Sequence, residues 1–176
     1  MNDHYIKKTH INFKQIKEAI SYIKKSGVKS SDIEVSATAG CLCISGKSNC
    51  VVINYHDAID EGLYKAMDTS KDVIILEKVG DNPRPFMKLI KSEEKCHYVV
   101  DAESDDGMAS SILYVMARTQ DLCFMPSFLN VYKLTGATVR VTVFKESEHI
   151  QIQSLAEEDV TIVVMPRSNP KIKELS

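Results

Sequence analysis

Asn12-Phe13-Lys14-Gln15-Ile16-Lys17-Glu18-Ala19-Ile20-Ser21-Tyr22-Ile23-Lys24-Lys25-Ser26-Gly27 is the stretch from which the fold can be read. Phe13, Ile16, Ile20 and Ile23 recur at helical spacing. Asn12 stands where an N-cap belongs, and Gly27 supplies the stop. At about 100° per residue, Lys14, Gln15, Glu18, Ser21, Tyr22 and Lys25 fall opposite the apolar stripe, while Lys17 and Lys24 flank it and can snorkel outward. Four lysines against one glutamate make this helix locally positive although the chain's formal charge is −2. Lys7 and Lys8 lie just upstream.

Strand signals surround this helix. Residues 5–11 read as a short leading strand. After Gly27 come 33–37, which alternates apolar and polar, then 42–44 between two glycines, then 51–55 after the turn signal Gly46-Lys47-Ser48-Asn49. In the middle of the chain, 57–67 reads as a short helix interrupted by Gly62, and 73–79 as a strand. Gly80-Asp81-Asn82-Pro83-Arg84-Pro85 reads as a loop, and 86–90 and 97–102 as a hairpin. Met108, Ile112, Leu113, Val115 and Met116 then follow at helical spacing behind the acidic pair Asp105-Asp106. The last third repeats the opening: Phe128, Val131 and Leu134 at helical spacing, a stop at Gly136, then strands at 139–143, 150–152 and 160–164. The second helix is six residues shorter between Phe and Gly than the first, 8 against 14. Two such units would let two helices lie abreast on one sheet face, since neither buries enough to stand alone. The expected class is α+β: antiparallel sheet with short helices on one face, in two strand-helix-meander units. The expected organisation is one domain over 1–167 with a central inserted segment 57–123, followed by a polar tail, 168–176.

With 176 residues, the chain is long enough to bury a core without disulfides or metal. Its 44% apolar and 26% charged content excludes a disordered or collagen-like chain. A pI near 6.2 gives no global positive field toward nucleic acid or anionic membrane. The first residues lack the layout of a signal peptide, and the longest apolar run, near 160–165, is strand-sized rather than membrane-spanning. Five cysteines, two of them in Cys41-Leu42-Cys43, read as reduced thiols of a cytoplasmic protein. An intracellular phage or viral product would look the same.

The pattern resembles the DNA sliding clamp family, the ring-shaped processivity factors of replicative polymerases. Phe128 to Leu134, then Val139-Arg140-Val141-Thr142-Val143, Ile150-Gln151-Ile152 and Val160-Thr161-Ile162-Val163-Val164-Met165-Pro166-Arg167 look like the end of a clamp subunit. Residues 13–55 are similar to the first unit of a clamp domain. The resemblance implies a processivity or docking factor without enzymatic activity, working by topological or electrostatic tethering. It implies helices facing DNA and touching phosphates through Lys14, Lys17, Lys24 and Lys25, without reading bases. A groove between the two units would take a polymerase's peptide tail. With a single domain per chain, a closed ring would need about six copies; the other form is a clamp-like monomer. The second helix offers only Lys133 to DNA.

Other constellations point elsewhere less well. Cys41, Cys43, Cys50 and His56 lack the ligand spacing of structural zinc, and Cys-x-Cys on a strand places two small thiols on one face. Cys96 and His97 are adjacent on a strand and so face opposite ways, which disfavours a nucleophile pair. Asp101, Glu103, Asp105 and Asp106 precede Gly107 one place too late for a calcium loop, and Ile112 occupies its twelfth position. Gly46-Lys47-Ser48 lacks the earlier glycine and following helix of a phosphate loop. Arg84 between two prolines is an exposed structural loop residue or a docking point. No metal or cofactor is expected. The expected partners are DNA backbone, a polymerase or other protein, and further copies of this chain, with no membrane. Two competing classes remain. One is a phage or pathogen protein-binding module that engages a host protein and not DNA. The other is a small enzyme built on His56, Asp57 or His97.

Overall fold

The structure is a computed structural model and describes residues 3–25, 27–46, 49–69, 71–84, 96–103, 122–123, 138–144, 150–154, 160–164 and 167–168. The chain divides into two compact units, Met1–Ser92 and Glu93–Ser176. It is mostly antiparallel sheet, with one α-helix among the described residues.

In the first unit, β1 (Asp3–Lys7) leads into α1 (Phe13–Lys25), followed by β2 (Glu34–Thr38), β3 (Cys41–Ser45), β4 (Asn49–Asn54), β5 (Gly62–Thr69) and β6 (Val73–Gly80). The strand order is β1-β6-β5-β2-β3-β4. The expected leading strand and the meander of three strands are present. Of residues 57–67, expected to be helical, 57–61 form a loop and 62–67 instead enter β5. Their apolar residues fit helical spacing, but Tyr64 is placed opposite Val35 on one side and Lys78 on the other, so ladders on both flanks decide the conformation. Gly62 does not interrupt a helix; it allows a close approach. A Cβ there would stand 2.5 Å from the Gly80 carbonyl oxygen.

Register fixes which side chains share a face. Ile6 lies opposite Ile74, Val35 opposite Tyr64 and Ile44, and Ile44 opposite Val51. All six side chains are essentially buried, as are Leu42, Ile53 and Leu76. On the other face, Ser36, Cys43, Ser45, Cys50 and Val52 are buried along β2–β4, whereas Tyr5, Met67 and Val79 are exposed toward β1 and β5. The chain after β6 runs back to β2. The Arg84 backbone N–H donates to Ser36 Oγ at 3.1 Å, and its guanidinium forms two 2.7 Å bonds to the Glu34 carboxylate. The expected structural loop at Arg84 is thus pinned at both its backbone and its side chain.

In the second unit, β7 (Cys96–Glu103), β9 (Thr138–Phe144), β10 (Ile150–Ser154) and β11 (Val160–Val164) pair antiparallel in the order β11-β10-β9-β7. A short ladder joins β8 (Leu122–Cys123) to β12 (Arg167–Ser168). The described residues of 57–123, expected as an insertion, therefore supply β5 and β6 to the first unit and β7 and β8 to the second. The expected helices at 108–116 and 128–134, and the hairpin arm at 86–90, lie outside the described residues, as does Lys133. The helices-abreast arrangement thus has one described member, α1.

Candidate nucleic-acid interface

A 13-residue helix is marginal by itself, so α1 is held by what it buries. Phe13, Ile16, Ile20 and Ile23 are buried as their spacing predicts, together with Ala19, and α1 packs against β3 and β4. Each fully buried Ile or Phe contributes roughly 1.5–3 kcal/mol. Tyr22 departs from expectation. Placed by angle on the polar side, it is only 3% exposed, so the helix is covered there as well.

The start of α1 also differs from the simple cap expected. The Asn12 carbonyl accepts the Ile16 N–H at 2.9 Å, the first intrahelical bond. The Asn12 side-chain amide, however, donates to Gln15 Oε1, and its backbone N–H donates to His10 Nδ1 at 3.0 Å. His10 therefore does part of the capping. Because Nδ1 accepts, the neutral ring carries its proton on Nε2, which points at Asp57 Oδ2 3.2 Å away. The His10 ring stacks on Tyr55 with centroids 4.7 Å apart. Tyr55 OH in turn meets His4 Nε2 at 2.8 Å and Asp57 Oδ2 at 3.3 Å. Burial, with the Asp57 charge adding to it, pushes the Tyr55 phenol well above its ordinary range. Burial likewise holds His4 below the usual imidazole value, against an opposing pull from Asp57. This cluster ties β1, the entry to α1 and the loop after β4 together. The Asp57 carboxylate serves His10 and Tyr55, and His56 is exposed. Strand alternation held the missed signal, since His4 shares parity with Ile6, and Tyr55 with Val51 and Ile53.

The four lysines named from sequence separate into two groups. Lys24 and Lys25 are exposed in the last turn of α1, where cations offset the negative end of the helix dipole. Lys14 and Lys17 occupy the first turns, and no acid stands in the first turn to offset the positive end. Lys14 is exposed; Lys17 is half-buried, its Nζ 5.8 Å from the centroid of the Phe13 ring. The structure brings Lys14 and Lys17 together with Lys8, from the turn after β1, and Lys71, from the turn before β6, around an open depression of about 440 Å³. Ile11 and Phe13 line it too, and Glu18 is its acidic member. Lys8 contacts Asp72 at 3.9 Å, with both side chains largely exposed, so the pair contributes little stability. Lys71 was invisible as a site residue in the sequence, because only the β1–β6 ladder carries it beside α1.

Three of the cysteines lie in β3 and β4. Cys41, Cys43 and Cys50 carry thiols rather than disulfides; Cys43 and Cys50 are buried, and Cys41 Sγ donates to Asn54 Oδ1 at 3.4 Å. Among the described residues, no cluster of three or more His, Cys, Asp or Glu side chains has the geometry of a metal site. Among the same residues, no helix is long and apolar enough to cross a membrane.

No family model matches the chain, and no curated protein matches it in sequence. Solved structures do match. The DNA polymerase III beta subunit from Thermotoga maritima superposes with a TM-score of 0.56 at 10% identity, over 96% of this chain and 66% of that one. The Borrelia burgdorferi subunit, solved in complex with a natural product, gives 0.53 at 10% identity, over 94% and 64%. A DnaN sliding clamp from Pseudomonas aeruginosa bound to griselimycin gives 0.51 at 10% identity, over 95% and 65%. The chain thus covers somewhat less than two thirds of the length of these clamp subunits, and its fold resembles the sliding clamp fold.

Proposed function

We propose that this chain is a sliding-clamp-like processivity or docking factor, without enzymatic activity, that tethers a partner to DNA. The supporting observation is the clamp-like fold, over nearly the whole chain, combined with a lysine-bearing α1. Lys14, Lys17, Lys24 and Lys25 contact phosphates, and affinity comes from displaced counterions rather than base contacts. The partners under this reading are the DNA backbone, a polymerase or another replication protein, and other copies of this chain. The organisation proposed with it is a clamp-like body over 1–167 with a polar tail.

Retention of the protein on duplex DNA, measured across salt concentrations, tests the reading. Four lysine contacts give a log–log salt slope of about −3.6, since each neutralised phosphate adds roughly 0.9. Changing Lys14, Lys17, Lys24 and Lys25 together to Glu should abolish retention. A wild-type protein that ignores DNA while capturing one protein partner overturns the tether in favour of a binding module. Mass in solution by light scattering reports the form of the tether. A closed oligomer of several copies supports a ring, and a monomer removes the ring and leaves the monomeric factor.

A further inference from the structure

Strand β1 stands at one end of the strand order, and among the described residues no strand pairs with its outer edge. Its bonding phase follows from the turn beyond it. The Lys8 N–H donates to the Asp72 carbonyl at 2.9 Å, one step past the Lys7–Val73 pair. Bonded and non-bonded pairs alternate along an antiparallel ladder. His4 and Ile6 therefore exchange bonds with Leu76 and Ile74 of β6, while Asp3, Tyr5 and Lys7 direct their N–H and C=O groups outward. The side chains of these three residues share one face and are exposed, Tyr5 by 55%. Charges on an edge ordinarily deter pairing. Here they favour one partner, because Asp3 and Lys7 lie symmetrically about Tyr5. A second β1 arriving antiparallel, with Tyr5 against Tyr5, sets Asp3 against Lys7 twice. The three outward residues are then the ones that exchange backbone bonds. Sliding the register by two residues either way keeps the bonding phase but loses both charge pairs. A second observation comes from the sheet itself. Asp3 stands opposite Glu77, a like-charge pair that weakens the ladder, and Glu77 stands opposite Lys65. A lysine on the outer side of Asp3 offsets that repulsion and completes a row of two acids between two bases.

We infer that β1 is a docking edge for a second copy of this chain, the two strands pairing antiparallel with Tyr5 against Tyr5 and Asp3 against Lys7. The contact is isologous and closes at two copies, whereas a ring needs a head-to-tail contact through other surfaces. A five-residue edge is small, so the dimer is transient and forms at high protein concentration. The inference gives the contact between copies in the proposed function a surface and a register. It stands on β1 and not on DNA binding, so a failure of DNA retention leaves it untouched.

The test is sedimentation velocity of the full chain over a concentration series without DNA, joined by amide hydrogen exchange at the two ends of the series. Wild type should move from one copy toward two as concentration rises, and the Tyr5 and Lys7 amides should gain protection. Asp3→Lys and Lys7→Asp should each weaken the dimer about thirtyfold, because either one turns both cross-strand attractions into repulsions. An equimolar mixture of the two variants should pair as wild type does, since one then carries only lysine and the other only aspartate at these two positions. Thermal midpoints in dilute solution check the fold separately. Asp3→Lys removes the repulsion from Glu77 and should not lower its midpoint, so a weakened dimer in that variant is not a folding defect. A wild type that stays a single copy at millimolar concentration overturns the inference. So do single variants that pair as wild type does, or folded variants whose mixture fails to pair.

Discussion

Replacing Lys14 with glutamate should make this protein more stable and worse at holding DNA, and the two effects have one cause. Lys14 is exposed in the first turn of α1, where the unpaired N–H groups present partial positive charge. A cation there costs about 0.3–1 kcal/mol, and an anion in the same place contributes about as much with the opposite sign. The neighbours nearly cancel. Lys14→Glu loses an attraction to Glu18 and gains a repulsion, each about 0.2–0.5 kcal/mol, but it also loses a repulsion from Lys17 and gains an attraction. The dipole contribution remains, about 0.6–2 kcal/mol in favour of the variant. For a chain of this length that corresponds to a rise of roughly 2–6 °C in the thermal midpoint. Differential scanning fluorimetry at low salt reads the shift, and it should shrink as salt screens the dipole. In parallel, DNA retention near physiological salt should fall several-fold, because a phosphate contact is replaced by a repulsion. A lower midpoint in the variant would refute the electrostatic account of the helix start. A raised midpoint with unaltered DNA retention would keep that account but remove Lys14 from the interface.

Other expectations follow from packing and titration. Gly62→Ala drives a Cβ to within 2.5 Å of the Gly80 carbonyl oxygen, so the β5–β6 pairing must shift. A loss of about 1–3 kcal/mol in urea unfolding is expected, and an unchanged midpoint would mean that the approach is looser than described. Ile16→Ala empties a fully buried position under α1 and should cost about 2–5 kcal/mol by the same assay. His4 is held below its ordinary value of 6.5, chiefly by burial. The unfolded chain therefore takes up the proton first as pH falls, so stability is full above about 6.5 and declines below it. Denaturation midpoints between pH 7.5 and 5.5 should show this decline, and His4→Gln, which cannot titrate, should flatten it. Tyr55, raised by burial, gives the opposite limb: stability is kept up to pH 10 and lost above it, as the unfolded phenol ionises first.

Much of the first unit was legible before any coordinates. Period 3.6 over residues 13–23 located α1, and Gly27, with φ of +94°, ends it as expected. Alternation bounded by glycine located β2, β3 and β4 to within a few residues. The misreadings share one origin. Residues 57–67 satisfy a helical pattern locally, and the strand wins through hydrogen-bonded neighbours that are distant in sequence. Tyr22 was placed by angle alone, which says nothing about what covers the outer side of a helix. Asp57 adjoins His56 in the chain, yet its carboxylate meets His10, from the entry to α1, and Tyr55, two residues back.

Composition, periodicity and punctuation thus determined that this chain makes a lysine-bearing amphipathic helix followed by a three-strand meander, because side-chain spacing and glycine act over a few residues. Tertiary structure alone decided which cations meet. Lys8 and Lys71 are 63 positions apart in sequence, and they come to one depression only because β1 pairs with β6 in the register Lys7 to Val73. Electrostatic convergence depends on distance through space, and no local pattern in the chain encodes it.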